Sequence, residues 1–157
     1  MKKVIIFGGY GFVGNELYIN LYKKKFQVFR YRNKIYSNKK NSIFYTCRNF
    51  EKKIKKIKPD YIYFLSGNSY PNNSFLNSTL DFKSNNMPLQ ELLHAIKSIK
   101  FKGPLIYTSS IAVYGNSTKK LVKENEKLNP CSNYALSKEI AEKQLLFFSR
   151  NFGDLLY

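Results

Sequence analysis

The stretch Lys2-Lys-Val-Ile-Ile-Phe-Gly-Gly-Tyr-Gly-Phe-Val-Gly14 decides the fold. Lys2–Phe7 is a short apolar run rich in β-branched residues, the pattern of a strand buried on both faces of a parallel sheet. Gly8–Gly14 (GGYGFVG) follows it at once, with glycines spaced G-x-x-G-x-x-G over Gly8, Gly11 and Gly14. From Phe12 to Lys25 the apolar residues Phe12, Val13, Leu17, Leu21 and Tyr22 recur at helical steps. In a strand–turn–helix unit the first glycine permits the tight turn, the second lets backbone approach a pyrophosphate, and the third lets the helix pack closely on the strand. The helix start at Phe12 and Val13 then offers free N–H groups and the positive end of the helix dipole to phosphates.

Working outward, apolar runs alternate with helical ones. Phe26–Tyr31 (FQVFRY) reads as a second strand, Asn33–Asn41 as a polar loop, and Ser42–Thr46 as a short third strand. Phe50–Ile57 is a lysine-rich amphipathic helix or turn ended by Pro59. Tyr61–Leu65 (YIYFL) is a strand and Ser66–Ser78 a loop. A helix is predicted over about Leu80–Lys100, with Leu89, Leu92, Leu93, Ile96 and Ile99 on its buried face and Pro88 breaking or kinking its first part. Pro104–Thr108 is a strand, Ser109–Pro130 a long polar connection, and Ser132–Arg150 a last helix. Strands alternating with helices imply βαβ units. The fold class is therefore α/β: a Rossmann-type doubly wound parallel sheet in three layers, with residues 1–157 as one dinucleotide-binding domain.

With 27 Lys+Arg against 10 Asp+Glu, the chain carries a formal charge of +17. Such a charge suits a nucleic-acid or anionic surface. The bases, however, are nearly all lysines scattered in short runs, with only Arg30, Arg32, Arg48 and Arg150 besides, and no aromatic–basic motif accompanies them. The excess is read as compositional drift in a chain also rich in Asn, Ile, Phe and Tyr, so no nucleic-acid partner is expected. Cys47 and Cys131 have neither metal-type spacing nor a disulfide framework, and no secretory leader or membrane span is legible. These features predict a cytoplasmic protein without a metal. His94 reads as an ordinary helix residue.

An acidic residue usually holds the adenosine ribose of NAD about 20 residues beyond such a glycine loop. Here the second strand ends Phe29-Arg30-Tyr31-Arg32-Asn33. Arginine pairs bidentately with a 2′-phosphate, and Arg32 is better placed than Arg30 by its count from the glycines. NADP is predicted over NAD.

Tyr134-Ala135-Leu136-Ser137-Lys138 places a phenol and an ammonium four residues apart, on one helix face. An ammonium nearby lets a tyrosine act as general acid or base near neutral pH. Tyr107-Thr108-Ser109-Ser110 ends a strand, where open α/β sheets bind ligands, and Ser110 can donate a hydrogen bond to a substrate oxygen.

Gly8–Gly14, Thr108–Gly115 (TSSIAVYG) and Pro130–Glu142 (PCSNYALSKEIAE) together resemble the nucleotide-sugar epimerase/dehydratase branch of the extended short-chain dehydrogenases/reductases, in order and in spacing. The resemblance implies that Ser110, Tyr134 and Lys138 are the catalytic set and that Lys138 also holds the cofactor ribose. Leu65 and Ser66 then stand beside the cofactor, where the family has Leu-Ala-Ala, and Asn86 matches the family's active-site asparagine. It implies a nucleotide-sugar substrate and a homodimer formed by the helices near Leu80–Lys100 and Tyr134. Arg32 departs from the aspartate of NAD-using members. Ile111-Ala112 stands where dehydratases carry an acidic pair, which favours an epimerase or a reductase. Members are about twice this length, so the C-terminal substrate-binding half is expected to be missing. A marginally stable chain with an exposed sheet edge is then expected. The alternative function is a catalytically inactive dinucleotide-binding module.

Overall fold

The computed structural model describes residues 1–31, 47–67, 78–116 and 121–152. Four parallel strands form the sheet: β1 (Lys3–Phe7), β2 (Gln27–Tyr31), β3 (Tyr61–Phe64) and β4 (Leu105–Tyr107), in the order β2-β1-β3-β4. Among the described residues four α-helices connect or follow them: α1 (Phe12–Lys23), α2 (Cys47–Ile57), α3 (Ser78–Ser98) and α4 (Asn133–Phe152). The doubly wound, Rossmann-like arrangement is present. Strand β1 pairs with β2 on one side (Ile6 opposite Arg30) and with β3 on the other (Ile6 opposite Tyr63). The chain therefore reverses its direction of travel across the sheet at β1.

The burial of β1 explains its composition. Val4, Ile5, Ile6 and Phe7 are all at most 1% exposed, so each side chain must be apolar whichever face it joins. Ile5 and Phe7 enter the main core with Ile62, Phe64 and Leu105, covered by Phe50 and Ile54 of α2, by Leu89, Leu92, Leu93 and Ile96 of α3, and by Ala141, Leu145 and Phe148 of α4. The Phe7 ring packs edge-on to Phe50 at 4.8 Å and stacks on Tyr31 at 5.5 Å. Helix α1 covers the opposite face. It buries only Gly14, while Phe12, Val13 and Tyr22 stay exposed. The apolar stripe expected on α1 is thus only partly used: Phe12 and Val13 stand in its first turn and Tyr22 in its last.

Pro88 lies inside α3 and does not break it. The residue removes one ladder bond, to Ser84, but both halves of the helix are anchored. Asn85 and Asn86 bond Ser137 on α4, and Leu89 through Ile96 lie in the core. The connection after β4 contains a short 3-10 turn, Ile111–Tyr114, too brief to leave a periodic signal. The predicted strand Ser42–Thr46 lies outside the described residues. Past the ends of α1, α2 and α3 the chain turns through Lys25, Lys58 and Lys100, each exposed and each with a left-handed φ of 51–61°.

Candidate active site and dinucleotide crevice

The glycine loop is built from backbone contacts. Gly8 and Gly9 N–H donate to the Tyr31 carbonyl at 2.9 and 3.2 Å, and Gly11 N–H donates to the Gly8 carbonyl at 3.0 Å. Gly8 has φ +84°, and a Cβ there would stand 2.7 Å from the Leu65 carbonyl carbon and oxygen and 2.8 Å from Ser66 N. The ends of β1 and β3 thus meet backbone to backbone at the reversal of strand order, where open α/β sheets form their ligand crevice. A Cβ on Gly14 would stand 2.3 Å from the Gly8 oxygen. Gly11 caps α1 without a side-chain hydrogen bond, and the first helical N–H to find a carbonyl is that of Asn15, on Gly11 at 2.9 Å. The N–H groups of Phe12, Val13 and Gly14 precede it, in a first turn that carries no acidic residue. This is the arrangement that receives a phosphate group. Gly8, Gly11, Phe12, Val13, Gly14, Leu65 and Ser66 are therefore brought together. Ser66 is buried and its Oγ finds no partner among the described residues, as befits a site facing a polar ligand.

Arg32 lies outside the described residues. Arg30 is placed, and it does more than the sequence suggested. Its guanidinium covers the rings of Tyr18 and Tyr10 at 3.7 and 4.3 Å, and Nη1 donates to Asn15 Oδ1 at 3.1 Å and to the Gly9 carbonyl at 3.4 Å. It braces the outer side of the glycine loop.

The second half of the site hangs on α4. Ser132 Oγ accepts from Ala135 N–H at 3.1 Å and starts the helix, with Tyr134 in its first turn. Lys138 follows one turn later, buried to 7% exposure. Its Nζ donates to the Thr108 carbonyl at 2.9 Å and lies 4.8 Å from the Tyr107 ring centre and 5.9 Å from that of Tyr134. Burial pushes the Lys138 ammonium down to about 8, and the Glu142 carboxylate opposes part of that shift. Tyr107 is pushed well above the usual phenol range, by its burial first and then by Tyr134 and Glu142. Ser110, in extended backbone, closes the 3-10 turn by accepting from Ala112 N–H at 3.2 Å. Lys138 and Ser110 thus share the segment Thr108–Ser110.

Helix α3 adds two asparagines. Asn86 is fully buried, with Nδ2 donating to the Ser137 carbonyl at 2.8 Å and Oδ1 without a partner among the described residues. Asn85, which the sequence reading passed over, donates to Ser137 Oγ at 3.0 Å. A Cβ on Gly67 would lie 2.5 Å from Asn85 Oδ1 and 3.9 Å from Lys138 Nζ, so Asn85 stands at the side of the crevice nearest the lysine. Two adjacent asparagines carry the same signal in a sequence, and only the helix's rotation separates them. Among the described residues no three His, Cys, Asp or Glu side chains group as metal ligands, and no helix is long and apolar enough to cross a membrane.

The chain is 24% identical over 158 residues to a putative UDP-glucose 4-epimerase of Methanocaldococcus jannaschii, an alignment covering 96% of this chain and 52% of that protein. The structure of UDP-glucose 4-epimerase from Brucella ovis in complex with NAD superposes with a TM-score of 0.86 at 21% identity, over 97% of this chain and 49% of that one. dTDP-4-dehydrorhamnose reductase from Bacillus anthracis, in complex with NADP, superposes with a TM-score of 0.78 at 18% identity, over 98% and 51%. These superpositions establish the fold, and the chain spans about half the length of the relatives it matches. The model of the NAD dependent epimerase/dehydratase family matches residues 4–155. The chain belongs to the NAD dependent epimerase/dehydratase family.

Proposed function

We propose that this chain is the dinucleotide-binding half of an enzyme of epimerase or reductase type, acting on a carbon of a nucleotide-activated sugar. The observation that carries the reading is Lys138: a buried ammonium tied to Thr108, beside Tyr134 and close to Gly67, two residues past Leu65. A bound nicotinamide dinucleotide would supply or accept the hydride. The N–H groups of Phe12–Gly14 hold its pyrophosphate, and Ser66 and Asn86 offer polar atoms at the cofactor side. Tyr134 passes a proton to or from the sugar hydroxyl, Lys138 orients the tyrosine and the ribose, and Ser110 donates to the sugar oxygen. In Arg32, with Arg30 braced beside the loop, the reading favours NADP over NAD. A homodimer across α3 and α4 belongs to the same reading, since Phe82, Leu136 and Phe147 stand exposed on those helices.

The second reading is a dinucleotide-binding module without turnover. Calorimetric titration with NADPH and NADH, for the chain and for Arg32→Asp, tests the first step. NADPH should bind more tightly, and the variant should level or reverse the order. Failure of the folded chain to bind either dinucleotide would sink the proposal. Binding without turnover of UDP-, dTDP- or GDP-sugars would leave the module reading in its place.

A further inference from the structure

One charged residue beside the site has no part in the roles above. Glu142 lies one turn beyond Lys138 on α4, and its Oε1 accepts the hydroxyl hydrogen of Ser109. Ser109 stands between Thr108, whose carbonyl accepts a hydrogen bond from Lys138 Nζ at 2.9 Å, and Ser110, whose Oγ accepts from the Ala112 N–H at 3.2 Å. Three successive residues leaving β4 are therefore each tied down, two of them to the same face of α4. We infer that Glu142 is a positioning residue of this site: it holds Ser109, and so the strand-to-turn junction that aims Ser110, while setting a carboxylate on the Lys138 side of the helix. The inference rests on the proposed reading of Ser110, Tyr134 and Lys138 as the working set.

The geometry gives the carboxylate two separable tasks. The first is mechanical. Thr108–Ser110 leaves β4 at an edge of the described sheet, with no strand among the described residues on that side. Its anchors are side chains of α4 and the turn's own capping bond. The second is electrostatic. Lys138 faces Tyr107 from β4, Tyr134 and Glu142 from its own helix, and the neutral Asn85 from α3 across Gly67. Glu142 is the carboxylate in that set among the described residues. Burial disfavours the ammonium and Glu142 favours it. Removing the carboxylate must lower the pH at which Lys138 loses its proton, so any step that needs the ammonium is lost at a lower pH.

The test uses the whole chain, with lysine labelled at the ε-carbon and the Lys138 signal assigned by its absence in Lys138→Arg. In the parent chain Lys138 should titrate near 8. In Glu142→Gln its midpoint should fall below that of the parent chain, and the Ala112 amide should exchange several-fold faster. Ser109→Ala should speed that exchange while leaving the midpoint in place. Glu142→Asp keeps the charge on a shorter arm, so it should hold the midpoint near the parent value. A folded Glu142→Gln chain with parent-like midpoint and exchange would overturn the inference. So would a midpoint in Glu142→Asp as low as in Glu142→Gln. Failure of the proposed function appears elsewhere, as loss of dinucleotide binding by the parent chain in calorimetry.

Discussion

The two ends of the crevice are made of different materials. At the glycine loop the shape comes from main chain on main chain: Gly8 against Leu65, Gly14 against Gly8. At the α4 end it comes from side chains: Lys138 on Thr108, Glu142 on Ser109, the two asparagines on Ser137. A backbone-built site has no slack, because an added carbon displaces the fold itself. A side-chain-built site separates function from stability, because its groups are held in settings the fold would not choose for them.

Substitutions that move one property and spare the other sharpen this contrast. Gly14→Ala should have the largest effect. Its Cβ meets backbone atoms at 2.3 and 2.7 Å that no rotamer relieves, so urea denaturation should show a loss of about 3 kcal/mol, with dinucleotide binding abolished. A near-neutral Gly14→Ala would break the comparison. Lys138→Met should move stability the other way. The folded-state value near 8 lies below the unfolded 10.5, so the unfolded chain binds the extra proton between those values. Lys138 therefore lowers stability fully below pH 8, and the penalty fades as pH rises toward 10.5. Near neutral pH the methionine variant should be more stable by about 2 kcal/mol, after the lost hydrogen bond to Thr108 is deducted. The difference should shrink at alkaline pH while dinucleotide affinity falls. A variant less stable at all pH values would show that Lys138 is a structural residue. Ser110→Ala should have the smallest effect, a loss of at most about 1 kcal/mol from the 3-10 cap, with dinucleotide binding unchanged.

The same contrast governs what could be read from sequence. The inner strands were legible because they are continuous apolar runs: Lys3–Phe7 is buried on both faces, and Tyr61–Phe64 buries Ile62 and Phe64 fully and its two tyrosines in part. The loop was legible because glycine is required where backbones touch. Tyr134 and Lys138 share a helix face by spacing alone. What lay hidden depends on contacts between distant segments. Asn85 and Asn86 look alike until the rotation of α3 is fixed, and Glu142 gains meaning only from Ser109, 33 residues away. Pro88 signals a break that tertiary packing on both sides of it overrides. Arg30 is one of two arginines in the sequence, and its bracing of the loop emerges only when Tyr10 and Tyr18 close over it.

The lysines at Lys25, Lys58 and Lys100 bear on how this composition is tolerated. Positions of that kind just past a helix usually hold glycine, and an L residue there adopts the left-handed region at about 1 kcal/mol. The chain has 8 glycines and places four of them in Gly8–Gly14. Where positive φ is the whole demand, a lysine takes the position and bears a modest strain in open solvent. Where a Cβ would strike the main chain, as at Gly8, Gly14 and Gly115, glycine stays. A strongly lysine-biased composition thus acts as a sieve, and what it retains marks which turns are fixed by contact and which only by conformation.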